Sequence, residues 1–176
     1  MHKIGIVLAA LTAFVSAEPA WAGLEDPYPY WLIGQSVDGS ESLYLRKDTY
    51  SKDPDTGMTT AYMVAISIGD RVKDFEYATW METEFNCANH TFGPRYNAVF
   101  DVEGTQHGVT IIPQEDITFQ AVTTGESFDI VYGVVCGTMD PGALPVADNK
   151  TVTQLIDDQF TTYGKVYAAT HGTAQK

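Results

Sequence analysis

The residues of this chain whose types could do chemistry are few: Cys87 and Cys136, four histidines, and a close pair of carboxylates at Glu82 and Glu84. Glu82 and Glu84 stand two apart in an alternating stretch, so both project from one strand face, as an acid–base pair would require. No nucleophile elbow, phosphate-binding loop or dinucleotide glycine pattern accompanies them. A solvated strand face accounts for the pair, and no catalytic residue is assigned. Cys87 and His90, with His107 farther on, fall short of the three or four ligands that zinc requires. Asp53-Pro54-Asp55-Thr56-Gly57 imitates a calcium loop, but its glycine comes one residue early and Met63 holds the place of the closing glutamate. The segment reads as a Pro-Gly turn. No metal and no cofactor is expected.

The elements that must position these residues follow from periodicity. From Phe75 to Cys87, Tyr77, Met81, Phe85 and Cys87 share one parity, while Glu76, Glu82 and Glu84 share the other. From Phe128 to Cys136, Phe128, Ile130, Tyr132, Val134 and Cys136 share one parity. Both stretches read as half-buried strands with their cysteines in phase with the inward face. The N-terminus supplies the compartment. Lys3 precedes a compact apolar run from Ile4 to Val15, and Ala20-Trp21-Ala22 forms a cleavage motif, with Val15-Ser16-Ala17 as a second candidate. The run is shorter than the about 20 residues needed to span a bilayer. Residues 1–22 therefore read as a signal peptide, and the protein as exported, periplasmic or extracellular, with no cysteine placed for a lipid anchor. In an oxidising space the pair Cys87 and Cys136 is expected to form a disulfide. Closing a loop of about 50 residues would stabilise the fold by roughly 4 kcal/mol on the chain-entropy model.

About 154 residues remain after the signal segment, enough for one domain with a sizeable core. The net charge is −13, which disfavours nucleic acid and anionic lipid and favours basic partners or simple solubility. Short alternating runs at Tyr30–Gly34, Ser42–Arg46, Thr59–Ile68, Arg95–Val102, Val109–Ile112 and Ile117–Val122 read as further strands, and Thr91–Pro94 as a turn. The run Thr59–Ile68 is apolar on both faces, as in a strand covered on both sides. After a linker, Asp148 or Thr151 can cap a helix striped by Val152, Leu155, Ile156, Phe160 and Tyr163, with Gly164 at its end. The expected fold is α+β, mainly β: an antiparallel sheet of about six to seven strands over residues 23–140, with residues 141–164 forming a linker and a C-terminal helix packed on it. The small polar tail, 165–176, is expected to be disordered.

The ordered set of motifs resembles the surface-adhesin protein E family of bacterial envelope proteins. It comprises Trp31-Leu32-Ile33-Gly34, Asp48-Thr49-Tyr50-Ser51, Glu84-Phe85-Asn86-Cys87 and Val135-Cys136. The likeness covers roughly Trp31 to Cys136. It departs at Phe119, where the family tends to have Trp, and at Thr123-Thr124-Gly125-Glu126 in place of a Pro-Gly-Ser turn. The resemblance implies an antiparallel sheet and a binding role rather than catalysis. Two other roles fit the charge and composition: an acidic periplasmic inhibitor of a cationic hydrolase such as lysozyme, using the loops Gln35–Glu41 or Glu103–Gly108, and a structural envelope protein. For a protein partner, alternation offers Glu76, Glu82 and Glu84 on one outward face beside Trp80, a set able to receive a Lys- or Arg-rich segment. The competing arrangement puts Trp80 beneath the C-terminal helix and leaves the glutamates merely solvated.

The cleavage motif predicts a mature protein beginning at Gly23. Intact-mass analysis of exported material should find that species, and material retaining Met1 would contradict the assignment.

Overall fold

The computed structural model describes residues 26–47, 49–69 and 76–171. Residues 1–25, which include the expected signal segment, Asp48, residues 70–75 and the last five residues lie outside the described residues. The described strands are β1 (Tyr28–Gln35), β2 (Glu41–Arg46), β3 (Ser51–Lys52), β4 (Thr59–Ser67), β5 (Ala78–Asn86), β6 (Thr91–Phe100), β7 (Gln106–Ile111), β8 (Gln120–Ala121) and β9 (Val146–Lys150). Helix α1 (Ser127–Val135) lies between β8 and β9, and α2 (Val152–His171) closes the chain. The strands form one antiparallel sheet in the order β7-β6-β5-β4-β2-β1-β9, with β3 beside β4 and β8 beside β6. The fold is α+β and mainly β, with the C-terminal helix packed on the sheet.

Period-2 alternation on the central strands divides the core in two. On β4, Val64 and Ile66 join a cluster with Trp80, Ala98, Phe100 and the α2 residues Val152, Leu155 and Ile156. Ala61 and Met63, of opposite parity, join Leu45, Phe85 and the α1 residues Val131, Val134 and Val135. A sheet apolar on both faces has to be covered on both, and the two helices do this.

Helix α1 corrects the sequence reading, which made Phe128–Cys136 a strand. A short apolar run fits either period, and here Val131, Val134 and Val135 meet the sheet at i, i+3, i+4. The run is stopped by Gly137, whose φ of 71° costs glycine nothing. Gly137 N–H donates to Val134 O and Thr138 N–H to Gly133 O, the paired bonds of a Schellman end. Cys136 thus caps a helix rather than lying in a strand. It still bonds to Cys87 just beyond β5, with Cα atoms 5.5 Å apart. The Tyr132 hydroxyl adds a 2.7 Å bond to Cys87 O, so the C-terminal half of α1 is tied twice to that turn.

Other boundaries move for identifiable reasons. Thr91–Pro94 is the start of β6 rather than a turn; the reversal is Cys87–His90, where His90 adopts φ 54°. Pro94 is accommodated beside a bulge in the β5–β6 pairing. The strand read at Ile117–Val122 shrinks to β8, and the linker contains β9, whose polar sequence carries no alternation. Of the two candidate caps for α2, Thr151 is used. Its hydroxyl accepts from Gln154 N–H, while Gln154 Oε1 accepts from Thr151 N–H, a reciprocal capping box. Gly164 does not end this helix. Residues 165–171, expected to be loose, continue it.

The stripe on α2 also needs one correction. Val152, Leu155 and Ile156 are buried, but Phe160 is 39% exposed and leans on Tyr77. The next buried position is Gln159. Its Nε2 donates to Gly39 O, and its Oε1 accepts from the Ser42 hydroxyl at 2.7 Å and from Gln35 Nε2. Docking is close enough that a Cβ on Gly69 would lie 2.9 Å from the Tyr163 hydroxyl.

Leu155→Ala should lower stability by about 2–5 kcal/mol, the cost of a buried leucine, whereas Phe160→Ala should cost less than about 1 kcal/mol. Urea denaturation of the two variants checks this ranking, and equal losses would contradict the placement of α2.

Candidate binding surface

The proposed set Glu76, Trp80, Glu82 and Glu84 is not one exposed patch. Trp80 is 8% exposed and belongs to the core cluster that includes α2. Glu76 precedes β5 and is exposed, about 20 Å along the chain direction from Glu82 at strand rise. Glu82 and Glu84 do stand together, but they are already engaged. The bulge leaves Arg95 unpaired between Tyr96, opposite Glu82, and Pro94, opposite Thr83. Its guanidinium turns onto the glutamates, 3.5 Å from Glu82 and 3.4 Å from Glu84. Gln114 Nε2 donates to the second Glu84 oxygen at 2.9 Å. Glu84 is 4% exposed and has both carboxylate oxygens occupied. The carboxylate pair is thus a charge-assisted clamp joining β5, β6 and the turn after β7, and not an open acceptor for an outside cation.

Cross-strand register builds a different surface around Glu82. Tyr62, Glu82, Tyr96 and Ile111 are directly opposed across β4, β5, β6 and β7. The row extends on β2 to Arg46, whose guanidinium lies 3.5 Å from the centre of the Tyr28 ring. It also lies 5.8 and 5.7 Å from those of Tyr62 and Trp80. Tyr28 and Tyr62 meet Trp80 edge-on. The row is half-exposed, and Ile111 at its end is 70% exposed. Thr153 near Gly104, Phe160 against Tyr77 and Tyr163 at Gly69 place α2 along the ends of the strands that carry those connections. Glu82 and Tyr96 sit four residues away from Ala78 and Phe100, toward the opposite ends of β5 and β6.

Burial, then the adjacent Glu82 charge and hydrogen bond, push the Tyr62 phenol above its usual pKa, and burial followed by Glu82 does the same for Tyr96. Both phenols are protonated at neutral pH, and the Tyr62 hydroxyl is already donated to Glu82. Arg46, Tyr62 and Tyr96 were missed from sequence because their significance depends on register. Arg95 was missed because a bulge re-aims it.

A concavity of about 540 Å³ opens beside the N-terminal turn of α1. Leu43, Ala65, Met81 and Phe128 provide its apolar wall, and Ser36, Glu41 and Ser127 its polar wall. Among the described residues no group of three or more metal-ligating side chains converges.

Among the described residues, fold and surface together define an antiparallel sheet carrying two α-helices, tied by a disulfide, with an aromatic and charged row on one face. No family model matches the chain, and no curated protein or solved structure matches it either.

The clamp makes a stability prediction. Arg95→Met leaves the Glu84 charge without its cation and should cost about 1–3 kcal/mol, less than a fully buried pair because Arg95 is 43% exposed. Adding Glu84→Gln should recover most of that loss. Additive losses in the double variant, measured by urea denaturation, would contradict the coupling.

Proposed function

We propose that this protein is an exported, non-catalytic binding module that receives a protein partner on the row Tyr28, Arg46, Tyr62, Glu82 and Tyr96, continued by Ile111. The observation carrying this reading is the half-exposed row itself. Tyrosine, tryptophan and arginine dominate binding hot spots, because each joins apolar area to a directed polar group. A guanidinium already stacked on rings loses little freedom when a partner covers it. Export is supported by the N-terminal sequence pattern and by the Cys87–Cys136 disulfide. No helix among the described residues is long and apolar enough to cross a membrane. The resemblance to surface adhesins supports a partner on the bacterial envelope or in host matrix, and the net charge of −13 favours a basic one.

One observation favours the inhibitor reading. The hairpin between β1 and β2 is held rigid by Asp38, which accepts from the Ser36 and Ser40 hydroxyls, and by the Gln159 bond to Gly39, while Val37 at its tip is 100% exposed. A stiff loop with an apolar tip is the shape that enters a cleft with little ordering cost.

The two readings separate in one experiment. The mature domain and a Tyr62→Ala, Tyr96→Ala variant serve as baits for envelope extract and basic matrix proteins, at about 0.1 M and about 1 M salt. Partners of the row should be captured at least about tenfold less by the variant and should weaken with salt. Equal capture by both baits would reject the row. Inhibition of a purified basic hydrolase that disappears in Val37→Asp would favour the hairpin.

A further inference from the structure

We infer that the outer edge of β7 takes an extended basic segment of the partner as an added strand. The inference rests on the protein-binding reading and supplies the partner's chemistry. β7 is the last strand on its side of the sheet. The bond from Ile112 N–H to Arg95 O sets the phase of its pairing with β6. Gly108 and Thr110 share that phase and direct their backbone groups inward, so Val109 and Ile111 present their N–H and C=O groups to the open side. Their side chains are 40% and 70% exposed, and they lie on the face that carries Tyr96 and Glu82.

Exposed edges are normally blunted by lysine, proline or irregular backbone. The opposite edge has such protection. β9 contains Lys150 and Asn149 at φ 53°, its pairing with β1 is irregular, and Asp148 is bridged to Lys47. The sequence of β7, Gln106 to Ile111, contains neither lysine nor proline; its pairing with β6 shifts register only before Gly108, and the stretch Gly108 to Ile111 is regular. An added strand would satisfy the outward backbone groups and align alternate apolar side chains with Val109 and Ile111, as in other strand-addition complexes.

Charge specifies the occupant. Between Tyr96 and Asn149 the chain has no lysine or arginine. Asp101 and Glu103 precede β7, and Glu115 and Asp116 follow it in a short 3-10 turn. The nearest guanidinium, Arg95, is shared between Glu82 and Glu84, which leaves that trio net negative. His107, on β7 itself, is paired with Asp101 at 2.7 Å. A segment with apolar residues at alternate positions and lysine or arginine at both ends complements this edge. A second copy of the acidic chain does not, because it would bring like charges together.

The probe is a synthetic peptide of about nine residues, long enough to span the edge at strand rise, with valines at alternate positions and lysines at both ends. A peptide with the same core and glutamates at both ends is the control. Binding of the lysine-ended peptide should slow hydrogen exchange at the Val109 and Ile111 amides by about tenfold or more. Val109→Pro removes one outward N–H without removing a bond to β6, so it should reduce affinity at least about tenfold with an unchanged melting temperature. If that variant does not fold, Glu115→Lys, Asp116→Lys should show the same loss. The inference is overturned if exchange at these amides is unchanged, if the glutamate-ended peptide binds equally, or if the folded variants keep full affinity. Protection that grows with protein concentration in the absence of peptide would instead assign the edge to a second copy and overturn the inference. If the peptide fails while a partner dependent on Tyr62 and Tyr96 is still captured, the edge assignment falls and the binding-module reading stands. Loss of the tyrosine dependence with peptide protection intact would remove the row from the binding surface and leave the edge.

Discussion

The structure depends on a sheet whose central strands are apolar on both faces. β4 places Val64 and Ile66 on one side and Ala61 and Met63 on the other, all 1% exposed or less. Such a strand cannot leave one face in water, so two helical covers are required. Their anchoring differs. α1 is too short to be stable alone and is held by its Schellman end, the disulfide and the Tyr132 bond to Cys87 O. α2 is longer, begins at a capping box, and is located by the buried Gln159, which meets Gly39 and Ser42 of the first hairpin.

How α2 docks decides which part of the sheet face stays exposed. Its seats at Gly39, Gly69 and Tyr77 all lie near strand connections. The row through Tyr62, Glu82 and Tyr96 therefore remains half-exposed while still resting on the core through Trp80. A rigid floor is what a recognition surface needs if little order is to be lost on binding. The Arg95 clamp adds to this by tying Glu84 to the turn beyond β7 through Gln114, which supports the sheet where its edge is open.

Much of this was readable from sequence where period and chemistry agreed. The alternation at Thr59–Ile68, the cysteine pair and the helix of Val152, Leu155 and Ile156 each carry a signal that burial on one face enforces. Phe128–Cys136 misled because a nine-residue apolar run satisfies both periods. The deciding residue was Gly137, outside the run. Of the two arrangements the sequence offers for Trp80, the one beneath the C-terminal helix holds, while the glutamates of the same parity are paired rather than merely solvated. The parity shared by Trp80, Glu82 and Glu84 is core at one end and a charged clamp at the other. Arg95 and the tyrosine row were not legible, since register and the β6 bulge bring them together and neither leaves a mark within a single strand.

The central claim, that the partner meets the β7 end of the tyrosine row, is tested most directly by photo-crosslinking in living cells of the protein's own source. A photoreactive residue is placed at Ile111 in one variant and at Val37 in another, two exposed positions on different parts of the sheet. The account predicts a discrete adduct from position 111 that is lost when Tyr62 and Tyr96 are replaced by alanine, and no adduct from position 37. An adduct from position 37 alone would contradict it and move the function to the first hairpin.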